Sequence, residues 1–464
     1  MTRILFIIFC IGSIFLSNVE AQEFTKAYGS TDNSEFINGY FSVSHNAYFV
    51  VGNTNNSTIT LSKIDRNGNV LWAKKYSGSY SVSGMDEIKI PGKNTTDIII
   101  SPNDYNTFRD LYVMRINGLT GEIVWSKKYK YATENRYADI YITKDQYIIS
   151  TTVVRHTGEV FLIKLDNNGN TIWSKLIKGN DFQRVSEFTT DGNNGILFGF
   201  TNYDIYGIVN ITENGNVGYI KKSSNNLLIR NIAKNPDGSY IITGYATWET
   251  RGINHQLILA DENFNIKWSK ILNPVNATSS TCAGCGVVPS FMNNKGEIIS
   301  IRESSITGSI KNSYSIFSAN GTHIKSVATN NNDIAIYHSN YTSLNNILTI
   351  GKSTKPNICL PNNNNGFLAT LKGNLDICDT YEFTPKITNS NNTFITINNN
   401  LLSVVDAIYT LSNINTVASD FTLKARNLCS NEEEKVNLGA DISTCTSGNI
   451  SLNAGTGYKS YAWS

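Results

Sequence analysis

Five-residue apolar runs recur along the chain, each bounded by turn residues. They are YFVVG (48–52), DIIIS (97–101), YIIST (147–151), ILFGF (196–200), YIITG (240–244), EIISI (297–301) and NILTI (346–350). Short, nearly continuous apolar runs of this kind suit strands covered on both faces. A second phrase follows each run, clearest in KLDNNGNTIWSK (164–175). There Leu162, Lys164 and Asp166 alternate with Ile163 and Leu165, and the turn residues Asn167, Asn168 and Gly169 tolerate positive φ. Ile172 and Trp173 then resume a β-favouring run, so the phrase predicts strand, tight turn, strand.

The turn-to-aromatic spacing repeats at Gly68–Trp72, Gly121–Trp125, Gly169–Trp173 and Gly215–Tyr219. It persists at Phe264–Trp268, where the turn glycine is lost, and at Gly321–Lys325, where the aromatic is lost. Successive copies lie 46 to 57 residues apart. Self-similarity at this period marks propellers and related arrays. The reading is therefore all-β, a seven-bladed β-propeller over residues 22–380. Six repeats complete themselves between residues 37 and 327, and a seventh runs from 333 to 372. EFTKAYG (23–29) matches WAKKYSG after Trp72, with Phe24 in the Trp place, Lys26 in the Lys place and Tyr28 in the Tyr place. The N-terminal strand is thus expected to complete the last blade and leave no open edge.

Beyond residue 380 the pattern changes. Residues 381–436 are rich in Thr, Asn and Ile without the repeat phrase, and predict a β-rich connector, either a small β unit or an extended linker ending in the charged SNEEEKV. Residues 437–464 predict the first strands of a truncated Ig-like sandwich, since a full sandwich needs roughly 100 residues. That tail is expected to pack poorly against the propeller, to be cut by protease near Glu432–Glu434, and to belong to a natural protein that continues past Ser464.

Composition narrows the partners. A net charge of +2 with 16% charged residues provides no basic field for nucleic acid. Residues 1–21 read as a secretory signal: Arg3, an apolar core over 4–15, and Val19-Glu20-Ala21 as a small-residue cleavage site. No later stretch is long and apolar enough for a transmembrane segment. The mature chain is expected to be secreted or held at the cell surface. In that compartment Cys282 and Cys285, spaced as CAGC, suggest a disulfide or paired structural thiols rather than a zinc or redox site. Six mature cysteines allow fifteen pairings; the pairs favoured are Cys282–Cys285 and Cys359–Cys378.

The paired phrases DGxYIIxG and KLDxNGNxxWxKxY resemble the secreted β-propeller repeat proteins of Bacteroidetes-type bacteria. The stretch from LGADISTCTSGNISLNAG onward resembles their PKD-like or Ig-like modules, in proteins that often end in a gliding-motality-type or type IX sorting domain. The Trp copies, best in INGLTGEIVW (116–125), also resemble the tryptophan-docking motif of quinoprotein (PQQ-like) propellers. That resemblance implies inter-blade packing roles for Trp72, Trp125, Trp173 and Trp268. The cofactor is not carried over, because the adjacent Cys pair of those dehydrogenases is missing.

No HExxH and no GxSxG occurs, and the histidines are scattered. GKST (351–354) lacks the upstream glycine of a phosphate loop, and DNNGN (166–170) lacks the alternating carboxylates of a calcium loop. Tyr245 and Trp248 suggest either a packed loop or a sugar-stacking platform. The expectation is a non-catalytic scaffold, adhesion or binding module without cofactor or metal, whose partner is an extracellular glycan or protein. The alternative is a secreted propeller enzyme acting on glycans, or a quinoprotein relative.

Overall fold

A computed structural model of the chain describes residues 23–427, except residues 30–33, 55–57, 79, 105–109, 132–134, 155–158, 180–183, 202–205, 226, 246–254, 274–286, 307–308, 330–333, 354–364, 372–379, 383, 398–401 and 415. Every element is a β-strand, and the strands form seven separate five-stranded antiparallel sheets. Each sheet is one blade. Blades 1 to 6 take their first four strands from residues 34–76, 80–130, 135–178, 184–223, 228–273 and 287–329. Blade 7 takes three strands from residues 334–371 and its fourth from Phe24–Gly29. Phe24 pairs with Thr370 and Tyr28 with Gly366, so the two ends of the repeat array close the ring by hydrogen bonding.

The seven apolar runs form the second strand of each blade. Ala47–Thr54, Ile196–Thr201 and Tyr240–Tyr245 are buried along their whole length. Blades pack face to face, so both faces of these strands are covered and no polar alternation is needed. The fourth strands read differently. Val70–Tyr76 and Val217–Ser223 share one alternating pattern of part-buried, exposed and buried positions.

The fifth strand of every blade comes from residues 380–427. Thr380–Glu382 adds to blade 6, Lys386–Asn389 to blade 5, Phe394–Ile397 to blade 4 and Ser403–Asp406 to blade 3. Thr410–Asn413 then adds to blade 2, Ala418–Asp420 to blade 1 and Lys424–Asn427 to blade 7, on the N-terminal strand itself. This segment is a strap around the full perimeter, laid down against the order of the blades. The expected boundary at residue 380 is where the strap begins, and the sheets extend to Asn427. The expected Ig-like strands over 437–464 lie outside the described residues.

Each innermost strand carries a β-bulge, falling between Phe36 and Asn38, Val82 and Gly84, Arg136 and Ala138, and Val185 and Phe188 in blades 1 to 4. The same irregularity recurs between Ile229 and Asn231, Val288 and Phe291, and Ile336 and His338. A bulge sharpens twist and leaves the extra residue unpaired in the ladder.

Candidate functional site

The side chains of the repeat phrase leave their own blade. In blade 2, Trp125 lies on the turn of blade 3. A Cβ placed on Gly169 would sit 3.1 Å from the indole, and the indole N–H donates to the Asn167 carbonyl at 3.0 Å. Two residues on, Lys127 donates to the carbonyls of Asn168 and Gly169 at 2.8 and 2.9 Å. Two further on, the Tyr129 hydroxyl donates to the Gly169 carbonyl at 2.8 Å. One motif thus fills the acceptors of the next blade's turn. The same contacts recur for Trp173 on the Glu213 carbonyl, Trp268 on the Ala319 carbonyl, and Tyr76 and Tyr28 on the carbonyls of Gly121 and Gly68.

The turn glycine is required twice over. Gly169 has φ of 72°, and its missing side chain leaves room for the indole. Blade 5 solves the problem with a residue exchange. Phe264 holds the turn at φ 65° and stacks on Tyr240, while Tyr219 of blade 4 meets its edge. The four tryptophans are part-buried rather than enclosed: the indole faces pack on the core and one edge stays in water.

Nearer the axis, two carboxylates join inner strands. Asp86 accepts from the Glu87 amide at 2.7 Å and from the Ile142 amide of blade 3 at 2.8 Å. Asp139 accepts from the Ile140 amide at 2.8 Å and from the Phe188 amide of blade 4 at 3.1 Å. Both remain partly open to solvent, yet protein surrounds them closely enough that desolvation dominates. It raises Asp86 to about 7 and Asp139 to about 6, against the lowering effect of the amides. On the other side of the ring Asn340 donates to the Gly39 carbonyl at 3.1 Å, and burial lowers His338 to about 4.

A third polar group joins blades 1 and 2 at the hairpin face. Glu87 accepts from Ser42 and Ser44 at 3.0 and 3.1 Å and from Thr96 at 2.5 Å. His45 bonds the Thr96 carbonyl through Nε2, and its Nδ1 lies 3.1 Å from the Lys63 ammonium, which sits over the Phe49 ring. With Nε2 protonated, Nδ1 is an acceptor for Lys63; burial lowers His45 and so favours that neutral form. The carboxylate, imidazole and ammonium are held by fixed partners, and a proton added to His45 would face a cation.

Other sequence candidates resolve as structure. Gly351 to Ser353 of the GKST stretch lie inside the strand Ile347–Ser353. Asp166 caps its turn, accepting from the amides of Asn168 and Asn170 at 2.8 Å and from the Asn170 side chain at 3.0 Å. Tyr245 is buried, with the Arg230 guanidinium 5.6 Å from its ring centre. Among the described residues no three His, Cys, Asp or Glu converge as a metal site. Trp248, Cys282, Cys285, Cys359 and Cys378 lie outside the described residues. The strap, the bulges and the axial aspartates escaped the sequence reading. The strap alone had a signal, a Glu, Asn or Asp at residues 382, 389, 406, 413, 420 and 427.

Solved structures match this chain only at low similarity. The apo form of prolyl oligopeptidase B from Galerina marginata is 9% identical, with 78% of this chain covering 52% of that one, about half its length, at a TM-score of 0.43. An uncharacterized protein from Listeria monocytogenes EGD-e is 10% identical over 64% of this chain and 83% of its own, at 0.36. A structure described as the eukaryotic initiation factor is 10% identical over 80% and 98%, at 0.38. No family model matches the chain. No curated protein matches it. The chain is a seven-bladed β-propeller by its own sheets and closure. No helix among the described residues is long and apolar enough to cross a membrane.

Proposed function

We propose that this propeller is an exported, non-catalytic binding or scaffold module whose ligand is an extracellular glycan or protein. One observation carries the reading: two carboxylates on the inner strands, Asp86 and Asp139, are engaged in holding blades together. Asp86 and Asp139 each accept two backbone amides, one from the next blade. An acid or base committed to backbone partners is poorly placed to exchange protons with a substrate. The signal-like residues 1–21 and the PKD-like stretch support export to the cell surface.

The test is a glycan and surface-protein array probed with the full chain, followed by product analysis of every hit. The expected result is saturable binding with the ligand recovered unchanged. Turnover of a bound glycan, lost on Asp86→Asn or Asp139→Asn in a folded protein, would instead establish the enzymatic reading.

A further inference from the structure

We propose that the rim of the ring is a docking groove for an extended peptide bearing a carboxylate or amide every seventh to ninth residue, and that the strap of a second copy can fill it in place of the chain's own. The register supports a chemical reading of the strap. Asn389, Asp406, Asn413, Asp420 and Asn427 stand directly opposite Lys270, Lys175, Lys127, Lys74 and Lys26, the lysines of the repeat phrase. Asp420 meets Lys74 at 2.9 Å, Asp406 meets Lys175 at 2.6 Å and Asn389 meets Lys270 at 2.7 Å. In blade 6 Glu382 reaches Lys325 at 2.6 Å from two positions away. In blade 4, where Ile397 replaces the acid or amide, it stands opposite Ile220 rather than Lys221.

The next strap residue is read as well. The amides of Ser390, Ala407, Ile414 and Phe421 donate to the carbonyls of Ser269, Ser174, Ser126 and Ala73, each just before its lysine, at 3.0 to 3.2 Å. Aromatic side chains of the strap also pack on residues of the neighbouring blades. Tyr409 packs on Tyr129 and Phe161, and Phe394 on Phe264. Lysine and carbonyl recur around the rim, and this is the pattern of strand addition to a sheet edge with side-chain specificity.

Two features make the strap separable. Its strands are only three or four residues long, so none holds alone. It is also the outermost layer: in each sheet the strap strand is terminal, and no described strand lies outside it. It can leave and return without threading through the ring.

The experiment splits the chain between residues 379 and 380 and produces both halves together, so that the ring folds beside its strap. The halves should copurify, and a labelled 380–427 peptide should exchange into the complex. A peptide carrying Glu382→Lys, Asp406→Lys and Asp420→Lys should compete at least tenfold more weakly. In the intact chain the same three substitutions should speed amide exchange in the strap at least tenfold while the inner strands stay protected. Halves that fail to associate, a reversed peptide that competes equally, or strap amides unchanged in the intact variant would each overturn the proposal.

Discussion

Trp173 shows how a single residue divides its work. Its faces lie on the core cluster around Phe198 and Ile220, and its indole N–H bonds blade 4 at the Glu213 carbonyl. Because one edge is solvated, Trp173→Ala should cost about 2–3 kcal/mol, below the ~3–5 of an enclosed aromatic. Denaturant titration measures it, and a loss under about 1 kcal/mol would remove the seam role. Asp86 and His338 make opposite claims on pH. A carboxyl raised to about 7 from an unfolded value near 3.9 binds more protons in the native state, so its stability cost grows from about pH 4 to pH 7. A histidine lowered to about 4 binds fewer, so its contribution is complete above about pH 6.5 and lost as pH falls to 4. Asp86→Asn should flatten the rise in cost between pH 4 and 7, and His338→Gln should flatten the loss on the acid side. Melting temperatures of each variant across that range check both, and unchanged slopes would contradict the burial invoked here.

At the scale of the element, the turn between the third and fourth strands matters most. Gly169 combines positive φ with indole contact, so Gly169→Ala should cost about 1–2 kcal/mol from left-handed backbone strain alone, plus displacement of Trp125. Equilibrium unfolding gives the value; a neutral effect would mean the turn relaxes freely. The elements were also the most legible part of the sequence. Apolar runs such as YIITG and the glycine-to-aromatic spacing specify strand and turn locally, and ring closure follows from Phe24 standing in a tryptophan place. The strap was not legible in the same way. Its strands are short, mostly exposed and polar, and their hydrogen-bonding partners lie up to several hundred residues away, so periodicity within the segment carries little of the burial signal. The axial aspartates were hidden for a related reason: their partners are backbone amides of the neighbouring blade, which leave no mark in composition.

Across the whole molecule, seven outer strands of six to eight residues would present open edges if the strap were absent. Open edges pair with other chains, whereas short, charged terminal strands discourage it. A chain ending at residue 379 should therefore associate while retaining β-structure, seen by light scattering and circular dichroism together. A truncated chain that stays monomeric would show that the outer strands protect themselves.

The closing strands have a mechanical corollary. Lys26 pairs with Asn427 and Gly29 with Lys424, so the start of the first strand and the end of the last lie side by side at one corner of blade 7. Tension applied between those two ends loads the pair as a zipper, one hydrogen bond at a time, and not in shear. The ring would yield first at that corner and under low force. Tension applied across the ring from any other blade must stretch several ladders at once. A load hung from residue 427 alone pulls on the outermost strand of blade 7.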